Sequence, residues 1–223
     1  MKKLLDNVWF CCEDPFSANT YIFVWKQKAL IIDPGFYENG RVALEFLRNR
    51  GVNEIIVVLT HCHYDHIASA PLFEKENAII CAHELDAEYI RKSDSITTVA
   101  IAFNAEWNGC KISRILRDGD TIDMEIFKFK VIHTPGHTRG SICLYEPSHK
   151  ILVSGDTVFS GGAFGRCDLP TGDLRKIVSS LEKLSSLNVE ILFPGHGNPV
   201  MSRAKEHIIL AFKRAKRSLE ELA

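Results

Sequence analysis

Short apolar runs alternate with charged, amphipathic stretches along the whole chain. Ile55-Ile56-Val57-Val58-Leu59 is an unbroken apolar run of strand length. Such a run reads as a strand buried on both faces. Asn19 to Trp25 and Lys28 to Asp33 read as two further strands joined by a tight turn at Lys26-Gln27, and the second ends on the turn signal Asp33-Pro34-Gly35. Gly40 to Arg50 sets Val42, Leu44, Phe46 and Leu47 among charges, with Gly51 after it, a pattern that predicts a helix and its C-terminal cap. His66 to Lys75 predicts another helix, Ala78 to Ala82 a strand and Leu85 to Arg91 a short helix. The rest of 84–110 is a mixed stretch without clear period, suited to covering a cleft.

The second half repeats this grammar. Lys111 to Leu116 and Thr121 to Met124 bracket Asp118-Gly119-Asp120, which predicts a hairpin-type turn. Phe127, Phe129 and Val131 alternate with Lys128 and Lys130, a strand with one wet face. Ser141 to Tyr145 and Ile151 to Ser154 flank a turn at 147–150. Leu174 to Leu187 predicts an amphipathic helix, Glu190 to Phe193 a short strand, and Ser202 to Leu222 a long terminal helix. Strands precede a helical segment in each half, and no composition break separates them. The expectation is a single α/β domain over 1–223, with two sheets packed together and helices outside.

Composition narrows the partners. Net charge is -1, from 27 basic and 28 acidic side chains, so the chain has no electrostatic footprint for nucleic acid or an anionic membrane. Met1-Lys2-Lys3-Leu4-Leu5-Asp6 lacks the apolar core of a signal peptide. No stretch reaches the ~20 apolar residues that span a bilayer. Seven cysteines, none in a C-x-x-C pair, read as reduced thiols in a cytoplasmic protein, and Cys11-Cys12 as idle or buried. The apolar positions of the terminal helix (Ile208, Ile209, Leu210, Phe212, Leu219, Leu222) suit packing on the domain or on a second copy, a monomer or a homodimer.

The chemistry concentrates in His61-Cys62-His63-Tyr64-Asp65-His66, directly after the buried strand. Imidazole nitrogen with carboxylate oxygen suits zinc, iron or manganese better than calcium or magnesium. On extended backbone His61 and His63 share a face, while Asp65 and His66 follow a bend and are placed for a second ion. Two adjacent metals, with a water between them, make a strong hydrolytic nucleophile. Three more segments carry ligand-type residues beside Gly or Pro just past an apolar strand: His133-Thr134-Pro135-Gly136-His137-Thr138, Gly155-Asp156-Thr157 and Pro194-Gly195-His196-Gly197. Loops at strand ends are where α/β enzymes place their chemistry. His83 is expected to cap a helix, His133 to be structural, and His149 and His207 to have no ligand neighbours. Alternation turns Cys62 away from the metal. Asp168 and Asp173 read as turn and cap residues.

H-x-H-x-D-H, then T-P-G-H-T, G-D-T and G-H-G in that order, resemble the metallo-β-lactamase superfamily. The resemblance implies an αβ/βα four-layer sandwich, two mixed sheets with helices outside, and two divalent metal ions per chain, zinc first and iron or manganese as alternatives. It implies that His61, His63 and His137 hold one metal, that Asp65, His66 and His196 hold the second, and that Asp156 bridges them. Asp33, at the end of an early strand, would orient the ligand loops. T-P-G-H-T-R-G-S, G-D-T-V-F and the stretch from Gly165 to Asp173 resemble the small glyoxalase II-like branch, which includes hydroxyacylglutathione hydrolases. The implied reaction is thioester hydrolysis. A metal-bridging hydroxide attacks the carbonyl, Asp65 helps orient it, and a thiolate leaves. Full-length members have a basic residue and, two positions on, a Tyr near the Asp156 loop; here Arg166 and Asp168 stand there. The chain also ends about 27 residues after His196, room for one helix. These departures open the substrate to thioesters of other thiols, or to lactones, with Arg166 as an anchor for a substrate carboxylate. The alternatives are a single-iron persulfide dioxygenase, using His61, His137 and Asp156, a lactonase or another hydrolase of this fold, and a non-catalytic metal-holding module.

Overall fold

The computed structural model describes residues 1–222. The chain divides into two compact units, Met1–Leu116 with Met124–Ile126, and Arg117–Asp123 with Phe127 onward. The first unit holds a seven-stranded sheet in sequence order: β1 (Lys2–Leu5), β2 (Val8–Cys11), β3 (Thr20–Trp25), β4 (Lys28–Ile32), β5 (Glu54–Leu59), β6 (Ile79–His83) and β7 (Arg114–Leu116). β1 to β4 form an antiparallel meander, and β4 to β7 pair in parallel. Parallel neighbours need crossovers. They are α1 (Tyr37–Arg48), the pair α2 (Tyr64–Ile67) and α3 (Ala70–Lys75), and α4 (Glu84–Arg91). The apolar runs that predicted strands form the core: Ile31, Val57, Leu59 and Ile80 are fully buried against Ala43, Leu47 and Phe73 of the helices.

The second unit holds a five-stranded sheet in the order β12-β11-β10-β9-β8, made of β8 (Thr121–Asp123), β9 (Lys128–His133), β10 (Ile142–Glu146), β11 (Ile151–Gly155) and β12 (Ile191–Pro194). Only β11 and β12 pair in parallel, and α5 (Leu174–Ser185) is their crossover. The expected one-sided burial of β9 is present, with Phe129 and Val131 buried and Lys128 and Lys130 exposed. α6 (Ala204–Glu221) turns Ile208, Ala211 and Ala215 into the same core as Ile177, Leu181 and Leu184 of α5. The terminal helix therefore spends much of its apolar face within its own unit, although Leu210 and Leu222 stay exposed.

Two expectations fail and one pair of strands was not foreseen. The helix expected over 66–75 is two helices, because Pro71 sits in the first turn of α3 and cannot continue α2. Asp118-Gly119-Asp120 is not a hairpin turn. β7 pairs with β6 in one sheet and β8 with β9 in the other. The Gly119 and Asp120 backbones bond Val131 instead, Gly119 N–H to its carbonyl and Asp120 carbonyl to its N–H. β1 and β2 went unread, since four residues with mixed polarity give too short a signal. Asp173 does cap a helix: its carboxylate accepts the Arg175 and Lys176 amides at 2.9 and 3.2 Å. Asp173→Ala should destabilise the protein by about 1 kcal/mol, lowering Tm by about 2–4 °C in calorimetry.

Candidate metal centre

β5 delivers the first ligand group. Past Leu59 the chain bends at Thr60 and His61 rather than staying extended as expected, is extended again at His63, and enters α2 with His63 as its flanking residue. The His61 and His63 rings meet edge to face at 4.7 Å, and His61 lies 4.0 Å from the His66 ring. His61, His63, Asp65 and His66 are 1, 3, 8 and 0% exposed. Ligand atoms of His61 and His63, of His61 and His66, and of Asp65 and His66 lie within 4.8 Å of each other. The bend expected before Asp65 and His66 is present, since α2 begins at Tyr64.

Asp33 fixes this arrangement. It follows β4, takes the left-handed backbone region (φ 51°) and is 2% exposed. Its carboxylate accepts the Thr60 amide at 2.7 Å, the Thr60 hydroxyl at 2.6 Å and the His66 ring at Nδ1, 2.8 Å away. A carboxylate only accepts, so His66 carries its proton on Nδ1 and presents the Nε2 lone pair. Thr60 has given its one proton to Asp33. Its oxygen therefore accepts from His61 Nδ1, 3.1 Å away, which sets the same tautomer in His61. One carboxylate thus orients two imidazoles, one of them through a hydroxyl.

A second support escaped the sequence reading. Asp86, fully buried in the first turn of α4, accepts the Cys62 amide at 3.0 Å, between the two histidines. No spacing rule pointed to it. Thr60 could have been found, since a hydroxyl directly precedes the ligand cluster. Cys62 itself is buried, and burial first, then Asp86, pushes its thiol well up. It remains a neutral thiol turned into the core, as alternation predicts.

The second unit supplies His137, Asp156 and His196, each just past a strand. The His137 Nδ1 donates to the Arg166 carbonyl at 2.8 Å, so its Nε2 carries the lone pair. That Nε2 lies 3.5 Å from Asp156 Oδ2, and His196 Nε2 lies 3.6 Å from the same oxygen. β11 and β12 pair Gly155 with Pro194, and the Gly195 amide bonds the Gly155 carbonyl at 2.8 Å, which sets the Asp156 and His196 loops side by side. Two glycines make room. A Cβ on Gly165 would stand 2.0 Å from the Asp156 carbonyl and 2.9 Å from the His137 ring. Gly136 has φ 135°, and a Cβ there would strike the Ile177 backbone at 2.3 Å. Arg166 is exposed and tied to Asp168 through two bonds of 2.9 and 2.7 Å, which hold the Asp168 carboxyl down to about 2.

The donors suit a divalent metal of the borderline type: buried imidazoles with Nε2 presented, and carboxylates beside them. The other histidines do structural work. His83 accepts the Leu85 amide at the start of α4, His133 meets the Arg139 carbonyl, His149 pairs with Glu146, and His207 accepts the Gly161 amide. All seven cysteines are free. Burial pushes the Cys11 thiol up to about 12 and Cys81, Cys143 and Cys167 to about 11, which leaves them neutral.

The family model described as the metallo-beta-lactamase superfamily matches residues 14–196. Over 82% of its length the chain is 35% identical to "Probable metallo-hydrolase MJ0888" of Methanocaldococcus jannaschii, covering 88% of that protein. It is 30% identical to "Acyl-coenzyme A thioesterase MBLAC2" of Gallus gallus, over 81% of this chain and 73% of that one. The crystal structure of TTHA1623 in a di-iron-bound form superposes with a TM-score of 0.72 at 28% identity, covering 92% of this chain and 96% of the other. No helix among the described residues is long and apolar enough to cross a membrane. This chain belongs to the metallo-β-lactamase superfamily and is a metal-binding hydrolase of that fold.

Proposed function

We propose that the chain hydrolyses thioesters with two divalent ions, zinc first and iron or manganese as alternatives. His61, His63 and His137 would hold one ion, Asp65, His66 and His196 the other, and Asp156 would serve both. The observation that carries the reading is the enforced tautomer of His61, His66 and His137, each with Nδ1 spent on a protein acceptor. The presence of a complete second-ion set, Asp65, His66 and His196, supports hydrolysis over single-iron oxygen chemistry, which needs only His61, His137 and Asp156. The thioesterase named among the relatives supports the substrate class.

Bound there, the ions would supply Lewis-acid polarisation of the carbonyl and lower the pKa of water to about 7. The chain's own residues do the rest. Asp65 orients the attacking water through an acceptor oxygen, 3.6 Å from His66 Nε2. The thiol of the leaving group has a reference pKa of about 8.5, so it departs as thiolate without a strong general acid. Arg166 is the proposed anchor for an anionic group on the substrate, exchanging Asp168 for it.

Protein purified without chelators or a metal-affinity tag should contain close to two metal ions per chain by elemental analysis. Stripping them should abolish thioester hydrolysis, and zinc should restore it. One iron per chain, with oxygen consumed on glutathione persulfide, would instead favour the dioxygenase. Asp33→Asn places an amide where two donors now converge, and should weaken metal affinity by about 10–100-fold in chelator competition. Arg166→Ala should raise KM for thioesters of anionic thiols and leave kcat unmoved. An unchanged KM removes the anchor role.

A further inference from the structure

Beside the ligand helix, wholly within the first unit, lies a cavity of about 450 Å³. Phe16, Phe36, Tyr37, Tyr64, Ala68 and Phe103 line most of it. Phe36 meets Phe103 edge to face at 5.2 Å and Tyr64 at 5.9 Å, so the wall is a continuous aromatic surface. Much of that surface stands in water: Phe16 is 72%, Tyr37 59% and Phe103 37% exposed. A contiguous aromatic patch left exposed marks a binding site more often than chance.

Three observations say what it would bind. First, Tyr64 and Ala68 lie one turn apart on the segment that also carries Asp65 and His66. Tyr64 on the trough wall is the chain neighbour of His63 and Asp65, two proposed metal ligands. Second, its only charged lining residue among the described residues is Asp14, whose carboxylate already accepts the Phe16 amide at 2.8 Å. With no cation and one anion on the wall, it repels the carboxylates of glutathione and suits an uncharged chain. Third, Phe103 is placed at a cost. It ends a 3-10 turn (Ala100–Phe103) flanked by Val99 at φ 59° and Asn104 at φ 52°. A left-handed β-branched residue stores about 1–3 kcal/mol, and such strain gathers at functional sites. This is the mixed stretch for which a cleft-covering role was expected.

We propose that this trough is the acyl subsite, and that the substrate is a thioester of an extended, uncharged aliphatic acid rather than of a short hydroxy acid. The proposal rests on the thioesterase reading for the identity of the linkage, not for the binding of the chain. The volume falls in the range of small-molecule sites, about 300–1,000 Å³.

The test uses the metal-loaded protein and two series, acetyl, hexanoyl and decanoyl thioesters of N-acetylcysteamine, and S-alkyl thioethers of matching length. Thioether Kd by calorimetry should fall about two- to fourfold per methylene, since each buried methylene is worth about 0.8 kcal/mol and the trough is open on one side. kcat/KM for the thioesters should rise in step. Phe16→Ser and Phe103→Ser should flatten both slopes. Ile79→Ser, an exposed apolar residue on β6 that lines no part of the trough, should leave them intact. Phe16 is mostly in water, so its variant will fold. Thioesters cleaved at rates independent of chain length overturn the subsite and spare the thioesterase. A thioether slope that the Phe variants flatten, with no thioester cleaved, upholds the subsite and overturns the thioesterase.

Discussion

The histidine cluster after β5, a candidate metal site, hangs on a single buried carboxylate. Asp33 takes three hydrogen bonds in a place where water cannot replace any of them. A buried acceptor that loses a partner costs the full desolvation of that group, about 1–3 kcal/mol. The network is therefore either complete or strongly disfavoured. Its position follows from the sheet. β4 and β5 pair in parallel through Ile32 and Val58, so the residue after β4 lands beside the residue after β5. The same turn clasps the helices that follow: the Gly35 amide bonds the His66 carbonyl, and the Ser69 hydroxyl bonds the Pro34 carbonyl. Ligand orientation and helix entry thus share one support.

The elements that were legible in the sequence were those whose signal is local. β5 announces itself as a solid apolar run, β9 as strict alternation, α5 by its cap and its apolar stripe. The ligand-type residues were legible for a related reason, because metal chemistry demands particular atoms and strand ends are marked by Gly and Pro. What stayed hidden depends on distant partners. Asp86 reaches Cys62 only because α4 follows a strand that pairs with β5. Arg166 meets Asp168, two residues on, while Asp173 is occupied with the first turn of α5. The hairpin expected at Asp118 failed because β7 and β8 belong to different sheets, a fact of topology that no window of twelve residues contains.

The aromatic trough adds a division of labour to this picture. The ligand residues are held by buried hydrogen bonds that tolerate little change. The trough next to them is built from partly exposed aromatic side chains, Phe16 on a loop, Phe103 at the end of a short turn, and Tyr37 and Tyr64 at the starts of α1 and α2. Substitutions there reshape what is bound without disturbing the carboxylate that holds the histidines. A fold that builds its polar network and its apolar wall from different side chains can change substrates while keeping its chemistry.

The pairing of Gly155 with Pro194 has a kinetic consequence. His61 to His66 are contiguous, and the strand pair that brings Asp33 to them closes over the shorter crossover through α1. Asp156 and His196 become neighbours only after the chain has run through α5 and returned as a parallel strand. Closing that crossover spends loop entropy before any contact repays it, and parallel pairing of this kind is slow. During refolding, the two halves of the donor set should therefore mature at different times, the contiguous one early and the crossover one late.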